Sequence, residues 1–158
     1  RDRVHIALGT IANKTGRVAG LNIGGTYTSF PGVLGTAITR VCEVEIARTG
    51  LDAGQAAAAG IEVVVGRATS TSRAHYFPGG AEVLVRLLVE PARRRIVGAQ
   101  LVGGDRFSKR IDVVATAITG GLTVDDLVDL DLGYAPSVAT VWDPVQVAAR
   151  DAIRRLDR

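Results

Sequence analysis

The sequence predicts an α+β fold, an antiparallel β-sheet with helices packed on one side. Three observations carry this. From residue 39 to residue 102 the apolar residues fall mainly at strand spacing, interrupted by one short Ala-rich helix. Two of the strand-like runs, 81–90 and 95–102, are joined closely around Pro91-Ala92-Arg93, which favours an antiparallel hairpin. After residue 105 the apolar spacing becomes helical and stays so. Strands grouped first and helices last mark an α+β domain.

The elements follow in order. Residues 4–8 (Val-His-Ile-Ala-Leu) read as a short strand. Residues 10–23 have helical character, with Ile11, Val18, Ala19 and Ile23 as apolar contacts, and Gly24-Gly25 stops them. Residues 26–38 are rich in Gly, Thr and Ser and contain Pro31, the composition of a loop or linker, so a domain is expected to start near residue 30. Next, Cys42, Val44 and Ile46 alternate with Glu43 and Glu45, the period-2 mark of a half-buried strand. On that reading Cys42 is an inert core residue. Residues 52–59 form a short helix with Asp52 as N-cap and Gly60 as left-handed C-terminal residue. A strand follows at 61–68, then the hairpin. The run Arg93-Arg94-Arg95 in its turn reads as solvated.

The clearest helix spans 106–119. Ile111, Val114, Ala115 and Ile118 lie at i, i+3, i+4 and i+7, and Asp105 is the expected N-cap. Gly120-Gly121 ends it. A shorter helix covers about 123–129 with Thr123 as cap. The last helix begins at Asp143-Pro144, a cap followed by proline at the first helical position, and continues through Val147, Ala148 and Ile153.

Bulk properties exclude several function classes. A chain of 158 residues with 47% hydrophobic and 22% charged residues suits a globular domain with a real core. Aromatics are 4%, so that core is built from Val, Leu, Ile and Ala. The net charge of +3 is mild and interspersed, and no Lys/Arg stripe with aromatics argues for nucleic acid. One cysteine cannot make an internal disulfide or a Cys-x-x-Cys pair. No apolar run is long enough for a membrane span and no signal peptide is visible, so a cytoplasmic location is expected. The two histidines lack metal-ligand spacing, and no metal is expected. No G-x-G-x-x-G follows a strand, so nucleotide-binding machinery is not expected in this segment. Methionine is absent, which leads to the expectation of a fragment of a longer chain.

A set of ordered segments carries more. Near the end stands Gly133-Tyr134-Ala135-Pro136-Ser137, followed by Trp142-Asp143-Pro144. Near the start stands Ala12-Asn13-Lys14-Thr15-Gly16-Arg17. Between them come Leu34-Gly35-Thr36-Ala37-Ile38, Ala47-Arg48-Thr49-Gly50-Leu51, His75-Tyr76-Phe77-Pro78-Gly79, Ile96-Val97-Gly98-Ala99-Gln100 and Lys109-Arg110-Ile111-Asp112. In this order the segments resemble the C-terminal part of FAD-dependent pyridine nucleotide-disulfide oxidoreductases, nearest to coenzyme A-disulfide reductase and NADH oxidase. The resemblance covers about residues 8–150.

That resemblance implies a division of labour. Residues 1–29 would end a flavin domain and lead into a linker, and residues 30–158 would form the dimerisation, or interface, domain. The parent enzyme would use FAD and NAD(P)H and act as a homodimer, with a reactive cysteine upstream of this chain. This segment alone is expected to hold neither cofactor tightly, and no nucleic-acid or membrane partner is implied. The N-terminal end of the first helix would face the flavin, with the backbone of Thr10, Ile11 and Ala12 closest; free N–H groups and the helix dipole favour negative charge there. Tyr134 and Tyr76 would reach toward the partner subunit's active site, where a phenol can hydrogen-bond a thiolate or protonate a leaving one.

Each reading has a plainer counterpart. The first helix can be an ordinary helix with a Gly-rich entry. Tyr134 can plug an interface with its hydroxyl on backbone. His75 reads as a local hydrogen-bonding residue, and Trp142 as an interface or core anchor. The chain departs from the family pattern at Ser137, where many members have a second proline, which would leave that loop less rigid. No histidine follows residue 75, which disfavours glutathione-reductase-like and lipoamide-dehydrogenase-like acid–base chemistry. The alternative function is a purely structural dimerisation module. A free-standing ligand-binding protein is the third reading.

Overall fold

A computed structural model describes residues 5–158 of the chain and divides it into two compact units, Arg1–Gly35 and Thr36–Arg158. In the first unit, helix α1 (Gly9–Ile23) has no buried residue. It ends as its glycines predict. Gly25 takes φ 85°, and Thr26 N–H returns to the Leu21 carbonyl at 2.9 Å. The Asn22 side chain then bonds Thr28 N–H and C=O, holding the exit of the chain. The strand expected at 4–8 is absent over residues 5–8, and residue 4 lies outside the described residues.

The second unit is a five-stranded sheet in the order β1-β2-β5-β4-β3, every neighbouring pair antiparallel. The strands are β1 (Ala37–Val41), β2 (Val44–Gly50), β3 (Val64–Thr71), β4 (Glu82–Glu90) and β5 (Arg95–Gly103). Helix α2 (Ala53–Ala58) joins β2 to β3. After β5 come a 3₁₀ turn (Phe107–Arg110), α3 (Ile111–Gly120), α4 (Val124–Val128) and α5 (Pro144–Leu156). The α+β prediction therefore holds, as does the 81–102 hairpin.

Pairing register sorts the sheet into two faces. Ala47, Leu101, Val85 and Ala68 align across four strands and are buried with Phe107, Ile111, Val114, Leu127, Val145 and Ala148 from the helical layer. That is the core. On the opposite face, Thr39, Ile46, Val102, Leu84 and Thr69 form one row, and Ala37, Arg48, Gln100, Arg86 and Arg67 the next. Ile46 and Leu84 are exposed there.

Glycines set three close approaches. A Cβ at Gly66 would sit 2.2 Å from the Ala148 carbonyl oxygen, so α5 lies directly on β3. Gly50 (φ 64°) and Gly98 pair across β2 and β5, and a Cβ on Gly98 would lie 1.9 Å from the Leu51 oxygen. The two family-like segments 47–51 and 96–100 are thus the two sides of one contact, sealed by Leu51 N–H to Val97 C=O at 2.9 Å.

Caps follow the sequence at three helices. Asp52, Thr123 and Asp143 each accept a backbone N–H in a capping box, and Gly60 is left-handed at φ 68°. Other expectations need correction. The strand beginning at residue 39 is a hairpin of β1 and β2, with Cys42 and Glu43 as its turn. Cys42 is exposed at φ 53° rather than buried in the core. Polar–apolar alternation across a two-residue turn looks the same as alternation along one strand, which hid the break. The strand read at 61–68 begins at Val64 and runs to Thr71.

The helix at 106–119 begins with a 3₁₀ turn, and its buried stripe is Ile111, Val114 and Ala117, not Ala115. Asp105 does not cap it; Asp105 and Arg106 both take left-handed φ values of 56° and 60°. The Arg93–Arg95 turn is not simply solvated. Arg94, at φ 54°, grips Asp125 with two bonds (2.6 and 2.8 Å) and Asp157 with a third (2.9 Å), and these partners hold its guanidinium more firmly protonated. The turn between β4 and β5 is thereby tied to both α4 and α5.

Candidate functional site

Tyr76 sits in the loop after β3. Ser72 opens that loop and is buried; its N–H donates to the Ala81 carbonyl at 2.9 Å and its Oγ accepts from Ala81 N–H at 3.0 Å, pinching the loop at its neck. Arg73 spans the interior. Its guanidinium donates to Asp105 from Nε (2.9 Å) and Nη2, reaches the Pro78 carbonyl (3.3 Å), and lies 5.9 Å from the Phe77 ring centroid. A turn with Phe77 N–H on the Ala74 carbonyl (2.8 Å) leaves Tyr76 at the tip, exposed.

Tyr134 sits in the loop between α4 and α5. The Gln146 amide holds the start of that loop, donating to the Val128 and Leu130 carbonyls at 2.9 Å each. At Ser137, where the family pattern has proline, the chain still turns, because the Ala135 carbonyl accepts from both Val138 and Ala139 N–H (3.0 and 2.9 Å). Arg110 closes the loop. It donates to the Asp143 carboxylate (2.6 Å) and to the Val138 carbonyl (2.8 Å), with its guanidinium 5.0 Å from the Phe107 ring. Trp142 is half exposed under Arg150 (4.8 Å), so it does not anchor the core.

The two loops meet. Ala74 N–H donates to the Pro136 carbonyl at 3.1 Å. Tyr76 and Tyr134 both line one open groove of about 410 Å³, with Thr69, Thr71, His75 and Thr140 around them. The neighbouring Tyr76 phenol, with some desolvation, raises the Tyr134 pKa above the usual phenol range. His75 is exposed and makes no hydrogen bond among the described residues.

The other predicted site residues, Thr10, Ile11 and Ala12, open α1 in the first unit. The Leu8 carbonyl accepts from both Ile11 and Ala12 N–H at 3.0 Å, no side chain caps the helix, and no acid stands in its first turn. Among the described residues no three His, Cys, Asp or Glu side chains cluster as for a metal ion, and no helix is long and apolar enough to cross a membrane.

Sequence reasoning did not find the Arg73–Asp105 pair or the joining of Arg110 to Asp143. Nothing local signals either, because the partners are far apart in the chain. Arg110 and Asp143 do each fall in a family-like segment, K-R-I-D and W-D-P, and that coincidence was the available clue.

The domain is an antiparallel sheet backed by helices, with two exposed tyrosines on adjoining loops. A protein-family model described as pyridine nucleotide-disulphide oxidoreductase, dimerisation domain, matches residues 36–144. The chain belongs to this family. It is 43% identical over 148 residues to an NAD(P)H coenzyme A polysulfide/persulfide reductase of Pyrococcus horikoshii, covering 94% of this chain and 33% of that protein. It is 38% identical over 148 residues to an NADH oxidase of Methanocaldococcus jannaschii, again 94% and 33%. A solved NAD-dependent persulfide reductase from A. fulgidus superposes with TM-score 0.94 at 41% identity, over 99% of this chain and 29% of that one. The chain thus spans about a third of the length of the curated relatives it matches.

Proposed function

We propose that this chain pairs two copies of a flavin- and NAD(P)H-dependent reductase or NADH oxidase into a homodimer and presents Tyr134, assisted by Tyr76, to the partner subunit's active site. The supporting observation is the meeting of the two phenols in one open groove, on loops that hydrogen-bond each other. A phenol so placed can donate a hydrogen bond to a thiolate held by the partner, or pass a proton to a leaving thiolate. The partner would supply the reactive cysteine, which lies outside this chain.

Residues 1–29 would complete a flavin domain and linker, with residues 30–158 as the dimerisation domain. The division of the chain after Gly35 fits that reading. So does α1, whose 15 residues bury none of their side chains within this chain; a helix of that length is marginal on its own and gains from packing on further structure. Of the three expected donors at the start of α1, Ile11 and Ala12 N–H are taken up by the Leu8 carbonyl, and the N–H of Thr10, with that of Gly9, is left without such a partner among the described residues to face an electron-rich ring edge. When bound, a flavin would carry electrons from NAD(P)H to the disulfide, persulfide or oxygen. The chain's own contribution would be to present helix N–H groups and phenols and to fix the geometry of the pair.

In the full-length enzyme, Tyr134→Phe is expected to lower kcat about 10²-fold or more while leaving the rate of flavin reduction unchanged. Unchanged turnover would leave the purely structural reading, which the exposed apolar residues Val138, Val141 and Trp142 favour.

A further inference from the structure

The two tyrosine loops touch through Ala74 N–H and the Pro136 carbonyl, and one further segment grips both. We propose that the segment from Asp105 to Arg110, between β5 and α3, is the clamp that holds them against each other. In this reading Arg73, Asp105, Arg110 and Asp143 are positioning residues for the Tyr76–Tyr134 pair, a role that rests on the function proposed above.

The segment holds one loop at each end. At its start, Asp105 accepts from Arg73 and from Ser72 Oγ (2.8 Å), which fixes the neck and interior of the Tyr76 loop. At its finish, Arg110 binds the Val138 carbonyl and the Asp143 carboxylate, and the other oxygen of Asp143 caps α5 through Val145 N–H (2.9 Å). The Tyr134 loop is thereby held at its end. Between these two grips the segment is itself fixed. Phe107 is fully buried, and Glu45 from β2 accepts from Arg106 N–H (3.2 Å) and Ser108 N–H (3.1 Å). Hydrogen bonding from Ser108, with further help from Arg106, keeps the Glu45 carboxyl below its usual range.

Two features separate this clamp from ordinary surface pairing. The ion pairs Arg73–Asp105 and Arg110–Asp143 have side chains only 19%/28% and 19%/11% exposed, against 58%/90% for the hairpin pair Arg40–Glu43. Half-buried charges with several hydrogen bonds fix geometry in a way that exposed pairs do not. Asp105 and Arg106 also occupy left-handed backbone, a conformation that costs non-glycine residues free energy and persists only where neighbours over-determine it.

The test reads the phenols directly. Alkaline titration of ¹³C-tyrosine-labelled chain, followed by NMR, gives the gap by which Tyr134 titrates above the usual phenol range. Asp105→Asn and Arg73→Gln are each expected to close that gap. Arg94→Gln breaks a charge network of similar size and is expected to leave the gap intact even where it lowers Tm. Should both ionic variants fail to fold, Arg110→Gln, which releases the Val138 carbonyl and the Asp143 carboxylate at the other grip, takes their place. A gap that persists in the folded variants overturns the clamp. Turnover of the full-length enzyme carrying Asp105→Asn then separates the two ideas. A closed gap with turnover lowered about tenfold or more supports both, and a closed gap with unchanged turnover keeps the clamp and removes the tyrosines from the chemistry.

Discussion

The two faces of the sheet differ sharply. On the helix-covered face Val83, Val85, Leu87, Val89 and Leu101 are all but fully buried, and Gly66 brings α5 into backbone contact with β3. On the other face Ile46 and Leu84 are 41% and 43% exposed, beside a row holding Arg48, Gln100, Arg86 and Arg67. The first face closes within the chain. The second leaves apolar area uncovered and runs at β3 into the tyrosine groove through Thr69 and Thr71. A domain whose family role is dimerisation keeps its stability on one side and its unfinished surface on the other.

That contrast can be broken by mutation. The largest effect belongs to the covered face: Leu87→Ala is expected to cost about 2–5 kcal/mol in chemical denaturation, from lost burial plus a cavity. Gly66→Ala comes next, at about 1–3 kcal/mol or more, because the added methyl meets the Ala148 carbonyl and Ala152 and α5 must shift. On the open face, Leu84→Ser is expected to change the stability of this chain by less than about 0.5 kcal/mol, while raising the dissociation constant of the full-length dimer in sedimentation equilibrium. Equal losses on the two faces would end the comparison.

A smaller effect comes from acid. Arg73 lowers the Asp105 carboxyl, and Arg94 lowers Asp125. A carboxyl lowered on folding contributes stability that is present above its unfolded pKa and lost as pH falls through its folded one. Tm is therefore expected to be flat near neutrality and to fall below about pH 4. Asp105→Asn should flatten the fall more than Asp125→Asn, because the Asp125 side chain is 48% exposed against 28% for Asp105, and solvent screens it. The reverse order would place the stronger coupling at the Arg94 end.

What the sequence made legible was local. The caps at Asp52, Thr123 and Asp143, the stop at Gly60 and the close spacing of β4 and β5 are each written within a few residues, and each is found. The hairpin at Cys42-Glu43 was not, because no Gly or Asn marks it; Cys42 takes the positive φ that those residues usually supply. Asp105 looked like a cap because it precedes a helical stripe, yet its carboxylate is claimed by Arg73 from another loop. The tyrosines were legible through the segments around them. The clamp that joins their loops was not, since it depends on charge partners that only the folded chain brings together.

The central claim is that Tyr134 serves the partner's site, and hybrid dimers test it most directly. One full-length subunit would carry Tyr134→Phe, and the other would lack its reactive cysteine. Each homodimer is expected to be nearly inactive. If the tyrosine acts across the interface, the hybrid holds one intact site of two and recovers about half of the unaltered turnover per dimer. A hybrid as inactive as its parents would mean that Tyr134 works within its own subunit, which contradicts its proposed role at the partner's site.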